Sequence, residues 1–340
     1  VLFPVPAMAV RAAMARHIAL AVGGGPLTDD LLIAAAAIHA GDPELTLDLH
    51  LELETGLGRG GVLPADAAAV AAAVARVPGA RLAGIWSHLA AAGEPLADQR
   101  QDALYGSLLQ PVGQASMPSD VVVRRHLAAS GAVLAADVRR WDSVRIGLAT
   151  YGLVPDALDP APEIAPDAAR LRPVMALYAR PVRVVDLPSG HGVSYGPSFV
   201  TARASRIATL PLGYADGWRR ALSDRAWALV RGTRVPLVGR VAMDAVMADV
   251  TDVAGKPVTE RDEFVLLGEQ GGQWISAFEL ASACETISYE VVAAMSRRLP
   301  RVYHAAGSPV EIRVLAGGRS EWHASSSGTA TSATSRSTRS

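Results

Sequence analysis

Lysine is almost missing from this chain. Of 340 residues only Lys256 is one, and arginine carries the other positive side chains. Any chemistry that needs a reactive lysine therefore has one candidate. It sits in Val253-Ala254-Gly255-Lys256-Pro257, which reads as a solvated turn. Cysteine is as scarce: Cys284 stands alone, which excludes an internal disulfide and makes a reducing cytoplasm the expected location. The formal net charge is -1, so nothing marks the chain as a binder of nucleic acid or of acidic membrane surfaces. No apolar run is long and uninterrupted enough to span a bilayer. The opening VLFPVPAMAV lacks the basic start and cleavage pattern of a signal peptide. Walker loops, H-E-x-x-H and C-x-x-C are absent.

Half of the residues are hydrophobic and the length allows two domains. From the start to about Tyr151, strand-like and helix-like segments alternate. Strands are predicted at Val1–Phe3, Ile18–Val22, Leu47–Glu54, Leu82–His88, Val121–His126 and Ser143–Leu148. Ala-rich or amphipathic helices lie between them. This is the pattern of a parallel sheet covered on both faces. Six βα units suit an incomplete eight-stranded TIM barrel, and a six-stranded open sheet is the alternative. The barrel domain is set at 1–160. Residues 154–173 carry five prolines and read as a linker. Residues 174–315 alternate or run apolar between glycine turns, as in an antiparallel, barrel-like β domain, with Val310–Val314 as a closing strand. The Ser/Thr/Gly-rich tail, 316–340, has no periodicity and is expected to be disordered. The fold class is thus α/β followed by β.

In a barrel, chemistry gathers at the C-terminal ends of strands. Those ends read ETGLGRGG with Arg59, Trp86-Ser87-His88, HLAASGA from His126 to Ala132 with Ser130, and Arg145-Ile146-Gly147-Leu148. Each has an ordinary structural reading. Together they make a polar mouth suited to an anion, with Ser130 either a helix cap or a phosphate ligand. GLGRGG at 56–61 formally fits the dinucleotide fingerprint of an NAD-dependent oxidoreductase. That fingerprint also asks for an acidic residue about 20 positions on. No Asp or Glu lies between Asp66 and Glu94. In the second domain, Tyr195 in Val-Ser-Tyr-Gly and Tyr214 in Gly-Tyr-Ala-Asp-Gly are tyrosines set among small residues, where tight turns can aim a phenol.

The series ETGLGRGG, WSHLAAAGE, HLAASGA, VRIGLATYGL, GVSYGPSF, PLGYADGW, VPLVGRVAMDAV and TISYEV resembles the alanine racemases, in this order, over about residues 1 to 305. The resemblance implies fold-type III pyridoxal 5'-phosphate chemistry in a cytoplasmic homodimer, making D-alanine for peptidoglycan. Each active site would take its barrel half from one subunit and its β-domain half from the other. It implies Tyr195 as the base that takes the α-proton from L-alanine, and Arg145 as the arginine facing the cofactor's pyridine nitrogen. Ser130, with the backbone of Gly147 and Leu148, would hold the phosphate. His88 would link Arg145 towards Tyr195. Arg59 would lie near the cofactor's phenolic oxygen and the substrate carboxylate. Met243 would offer its N–H to that carboxylate, and Tyr214 and Asp244 would line the access channel. No metal is implied.

The chain also departs from the family. The lysine that attaches the cofactor and acts as second base belongs to a Lys-Ala-x-Ala-Tyr-Gly type motif, which is not present. The expectation is a fragment lacking its N-terminal segment, and a polypeptide that as written does not racemise. A serine or broad-specificity racemase, and a catalytically dead dimeric scaffold, are the alternatives.

Overall fold

A computed structural model describes residues 5–116, 122–136, 138, 139, 141–156, 158–315 and 318–321. The chain divides into two compact units at Arg172/Pro173.

The first unit is a parallel sheet of β1 (Leu20–Val22), β2 (Leu47–Glu52), β3 (Ala80–Trp86), β4 (Arg124–Ala129) and β5 (Ser143–Arg145), paired in sequence order. Its helices are α1 (Val10–Ala15), α2 (Pro26–Gly41), α3 (Ala67–Arg76), α4 (Pro95–Ser116) and α5 (Ser130–Ala135). Each precedes or follows a strand, so the sheet fits part of an eight-stranded barrel. Five strands are seen among the described residues, not six. The expected strand Val1–Phe3 falls on residues 1–4, outside the described ones.

β2 shows how the sheet places polar groups. Its sequence alternates Leu-Asp-Leu-His-Leu-Glu, and side chains alternate faces with period two. Leu47, Leu49 and Leu51 are fully buried in the main apolar cluster. Each such burial stabilises by about 1.5–3 kcal/mol as an upper estimate. The opposite face carries Asp48, His50 and Glu52. Gly84 of β3 sits beside His50 in register, and a Cβ there would lie 2.4 Å from His50 Nδ1. A glycine is therefore required for the imidazole to lie on this face.

β3 and β4 are also joined through a side chain of α4. The buried Tyr105 hydroxyl donates to the Ile85 carbonyl at 2.6 Å and accepts the His126 N–H at 3.2 Å. Its ring meets Trp141 edge-on at 5.4 Å.

The expected linker contains a short helix, α6 (Ala165–Ala168), and the Ala161 N–H reaches back to the Leu134 carbonyl at 2.9 Å.

The second unit is mainly antiparallel. Its strands are β6 (Leu177–Ala179), β7 (Arg183–Leu187), β8 (Gly192–Val193), β9 (Phe199–Val200), β10 (Ser205–Leu210), β11 (Trp227–Val230), β12 (Thr233–Val238), β13 (Val246–Asp249), β14 (Phe264–Gln270) and β15 (Gln273–Ile275). β8 and β9 form a separate hairpin, and the other eight make one sheet. The apolar run Val235–Val250 is not one strand. Gly239 breaks it with φ +77°, and residues 239–245 form a loop between β12 and β13. Helices α7 (Ala277–Ala283) and α8 (Ser288–Ala294) follow. The expected closing strand does not join the large sheet. It belongs to β17 (Ser308–Val314), which pairs with β16 (Arg301–Ala305) and β18 (Gly318–Glu321). The expected disordered tail thus includes a strand, because residues 318–321 extend an available ladder on β17. Residues 316, 317 and 322–340 lie outside the described ones.

Replacing Tyr105 by Phe keeps the ring and removes both bonds of its hydroxyl. The expected loss is about 1–3 kcal/mol, because the Ile85 and His126 backbone groups stay buried. Urea unfolding of the first unit, followed by Trp86 and Trp141 fluorescence, measures it. An unchanged midpoint would show that the hydroxyl does not join the strands.

Candidate active site

Arg145, at the end of β5, is the centre of the first unit's polar mouth. Its Nη1 lies 2.8 Å from His126 Nδ1 and 3.1 Å from the His126 carbonyl. Its Nη2 lies 2.7 Å from the Ser87 carbonyl, 2.9 Å from the Leu127 carbonyl and 3.0 Å from His88 Nδ1. The guanidinium carbon stands 4.8 Å over the Trp86 ring. These hydrogen-bond acceptors are all neutral. Burial draws the Arg145 pKa down to about 10, which still leaves it charged at neutral pH.

That cation fixes the histidines around it. A guanidinium has five N–H donors and no acceptor. His126 and His88 must therefore accept at Nδ1, so each carries its proton on Nε2. His126 Nε2 then donates to His50 Nδ1 at 2.8 Å. Arg145, His126 and His50 form one directed chain across β5, β4 and β2. Trp86 stacks on His126 with a 10° interplanar angle. Burial, then the Arg145 charge, pushes His126 down to about 3 and His88 down to about 4. Arg59 adds to the effect on His88, and burial lowers His50 as well.

Ser130 opens α5 directly after β4. Its Oγ accepts the Gly147 N–H at 3.0 Å and the Ala149 N–H at 3.3 Å. Residues 148–151 wind into a single 3-10 turn, which brings the Ala149 N–H beside that of Gly147 at Ser130 Oγ. Arg59 follows β2 and reaches Glu52, 3.4 Å away, on that strand's polar face. Glu52 is only 6 % exposed. Burial raises its pKa, and Arg59 opposes the rise. A Cβ on Gly60 would lie 3.3 Å from Glu52 Oε2, so the glycines of ETGLGRGG leave space for this carboxylate.

The same glycines do not form a dinucleotide loop. The Gly56 and Gly58 amides are taken by the Glu54 carboxylate at 2.5 and 2.8 Å, and the next helix starts only at Ala67. From α4, Gln101 ties the strand ends together: it donates to Thr55 Oγ1 at 3.1 Å and to the His88 carbonyl at 3.2 Å.

In the second unit, the loop 239–245 collects the other expected residues. Tyr214 N–H donates to the Ala242 carbonyl at 3.0 Å, and Ala215 N–H to the Met243 carbonyl at 2.9 Å. The backbones approach so closely that a Cβ on Gly213 would lie 2.4 Å from both carbonyl oxygens. Tyr214, Met243 and Asp244 are thus neighbours, and all three are exposed. The turn bearing Tyr195 rests on the same loop, where Ser194 Oγ donates to the Arg240 carbonyl at 2.6 Å. Tyr195 itself is 76 % exposed.

The profile described as "Alanine racemase, N-terminal domain" matches residues 2–155, and "Alanine racemase, C-terminal domain" matches residues 174–303. The alanine racemase of Desulfosudis oleivorans is 40% identical over 281 residues, which cover 79% of this chain and 68% of that protein.

The chain belongs to the alanine racemase family.

The Symbiobacterium thermophilum member is 41% identical over 257 residues, 75% of this chain and 65% of that one. The chain therefore spans about two thirds of the length of these curated relatives. Among solved structures, the Bacillus anthracis alanine racemase with bound L-Ala-P is 31% identical, with a TM-score of 0.77. The match covers 92% of this chain and 77% of that one. The enzyme from D-cycloserine producing Streptomyces lavendulae is 35% identical with a TM-score of 0.74, over 87% and 75% of the two chains.

Within this family fold, His50, Glu52 and Gln101 are site neighbours that lie outside the sequence motifs, and His126 and Ala149 lie inside motifs that gave them no role. One signal for two of them was available. Polar residues at alternate positions of β2 interrupt a strand otherwise built for a doubly covered sheet.

The histidines make the first unit sensitive to acid. Unfolded imidazoles gain protons near pH 6.5, whereas the folded His88 and His126 resist until about 4 and 3. Between these values the unfolded chain holds more protons, so stability falls as pH falls. The urea midpoint is expected to drop between pH 6.5 and 4, and to drop less steeply in His126→Asn. Equal slopes in the two proteins would overturn the assignment of a neutral His126.

Proposed function

We propose that this chain carries the framework for pyridoxal 5'-phosphate-dependent interconversion of L-alanine and D-alanine. The observation that supports this most is the Arg145 centre, built into a chain of this family. Its donor set suits the cofactor. Ser130 accepts two amides, and its own O–H has no acceptor among the described residues, which leaves a donor for a phosphate oxygen. The Arg145 Nε–H also has no partner among the described residues, while Nη1 and Nη2 are engaged. A guanidinium donates and does not give up its proton, so Arg145 would hold a pyridine nitrogen in its unprotonated form.

Bound pyridoxal phosphate supplies the electron delocalisation that makes an amino-acid α-proton removable. The chain's residues do the rest. The Tyr195 hydroxyl holds or accepts that proton. A free phenol has a pKa near 10, so it needs cations such as Arg59 close by. Glu52 holds Arg59 for the substrate carboxylate, together with the Met243 N–H. His88, an acceptor at Nδ1, has an Nε2–H that would donate towards the phenol of a second subunit. Tyr214 and Asp244 line the access channel. A tyrosine as exposed as Tyr195 suits insertion into a second subunit, which supports a homodimer with shared sites. Among the described residues, no helix is long and apolar enough to cross a membrane. With the single cysteine this supports a cytoplasmic setting, where D-alanine would feed peptidoglycan.

The second base is the one component these residues do not supply. Lys256 lies on an exposed turn of the second unit, where its carbonyl accepts Arg231 Nη1. The 340-residue protein is therefore expected to bind pyridoxal phosphate without turnover. An absorbance titration should show binding that Ser130→Ala weakens roughly tenfold, the loss of a charge-assisted hydrogen bond. Borohydride treatment and peptide mapping should find no attachment in residues 1–172. Fusing the chain to the lysine-bearing N-terminal segment of a relative should give D-alanine from L-alanine, and Tyr195→Phe should abolish it. A fused dimer that binds no cofactor would point to a scaffold instead, and turnover of serine at a similar rate to a broader racemase.

A further inference from the structure

Tyr195 is exposed, so its own side-chain packing does not decide where the phenol points. The backbone must do so. Yet the hairpin that carries it has strands of two residues each, β8 and β9, with only Gly192↔Val200 and Val193↔Phe199 in register. An isolated hairpin this short is not stable by itself. Beneath it is a small apolar cluster of Val193, Ile207 and Val238, with Phe199 half-buried against it. That cluster holds the base of the hairpin but not its tip.

The tip is strapped to the 239–245 loop by polar groups. On one side of Tyr195, Ser194 Oγ bonds to the Arg240 carbonyl. On the other, Ser198 Oγ donates to Asp224 Oδ2 at 2.5 Å. The second oxygen of the same carboxylate, Oδ1, accepts the Gly239 N–H at 2.5 Å. Gly239 is where the two segments touch: a Cβ there would lie 2.7 Å from the Val193 carbonyl oxygen and 3.0 Å from Ser194 Cβ. Asp224 adopts φ +57°, a conformation that Asp and Asn tolerate better than most residues. Its neighbour Ser223 accepts the Val241 N–H at 3.0 Å, which fixes the same loop from below.

We infer that Asp224 is a positioning residue for Tyr195, its carboxylate bridging Ser198 of the hairpin and Gly239 of the loop so that the phenol is held in one place. Its relevance to catalysis rests on the reading of Tyr195 as the proton-transferring group. The pin itself can be tested without cofactor or turnover.

Amide hydrogen exchange of the full chain, read by mass spectrometry, gives the test. In Asp224→Ala, exchange in peptides covering residues 193–199 should rise about tenfold, the loss of bonds to a charged acceptor. Peptides from β11 and β14 should not change. Asp224→Asn should restore slow exchange, because its amide can accept from Gly239 N–H and donate to Ser198 Oγ. Ser198→Ala, which leaves residue 224 intact, should loosen the same peptides by a smaller factor. Unchanged exchange at 193–199 in both alanine variants would overturn the inference. So would a rise spread evenly over the second unit, or an Asn variant as loose as the Ala one. The racemase reading could fail with this result intact, since the exchange pattern does not depend on the reaction.

Discussion

A half-buried guanidinium whose hydrogen-bond acceptors are all neutral is the constraint on which the first unit's site depends. A cation taken out of water needs compensation for its lost hydration. Here the compensation comes from three backbone carbonyls, two imidazoles and the face of Trp86. The carbonyls belong to β4 and to the loop after β3, so the strand ends must meet Arg145 in one register. The imidazoles must both be neutral and both protonated on Nε2. Each requirement follows from the fact that arginine can only donate. A carboxylate in place of either histidine would balance the charge but would also remove the Nε2–H that each ring carries away from Arg145.

The second unit solves a different problem. It must hold exposed side chains in place without burying them. It does so through backbone and short side chains around one interrupted strand. Gly239 stops β12, and the loop that follows receives Ser194, Tyr214 and Ala215 through hydrogen bonds to its carbonyls. Close approach at Gly213 and Gly239 excludes any Cβ there. The tyrosines are thus aimed by the chain beneath them.

Motifs at strand ends were the legible part of the site. Arg145, His88 and Ser130 could be named because parallel βα folds place chemistry at those ends, and the structure does bring the three together. His50, Glu52 and Gln101 were not legible in the same way. Their roles depend on which residue of β2 faces β3, on a glycine at position 84, and on how far along α4 a side chain reaches back to the loops. These are matters of register and distance. The Val235–Val250 run shows the same limit. Hydropathy reads it as continuous, and one glycine with positive φ turns it into two strands and a loop.

By itself the sequence determined the family, the order of a parallel βα unit before an antiparallel unit, and the list of residue types available for chemistry, including the near absence of lysine. Periodicity and local motifs suffice for these because they depend on neighbours in the chain. Only the tertiary structure decided the protonation pattern of the three histidines, the pairing of Glu52 with Arg59, the two amides of Gly147 and Ala149 on Ser130, and the strapping of the Tyr195 turn through Asp224. Each of these needs groups far apart in sequence to come within hydrogen-bonding distance, and that proximity is set by how strands pair and loops pack.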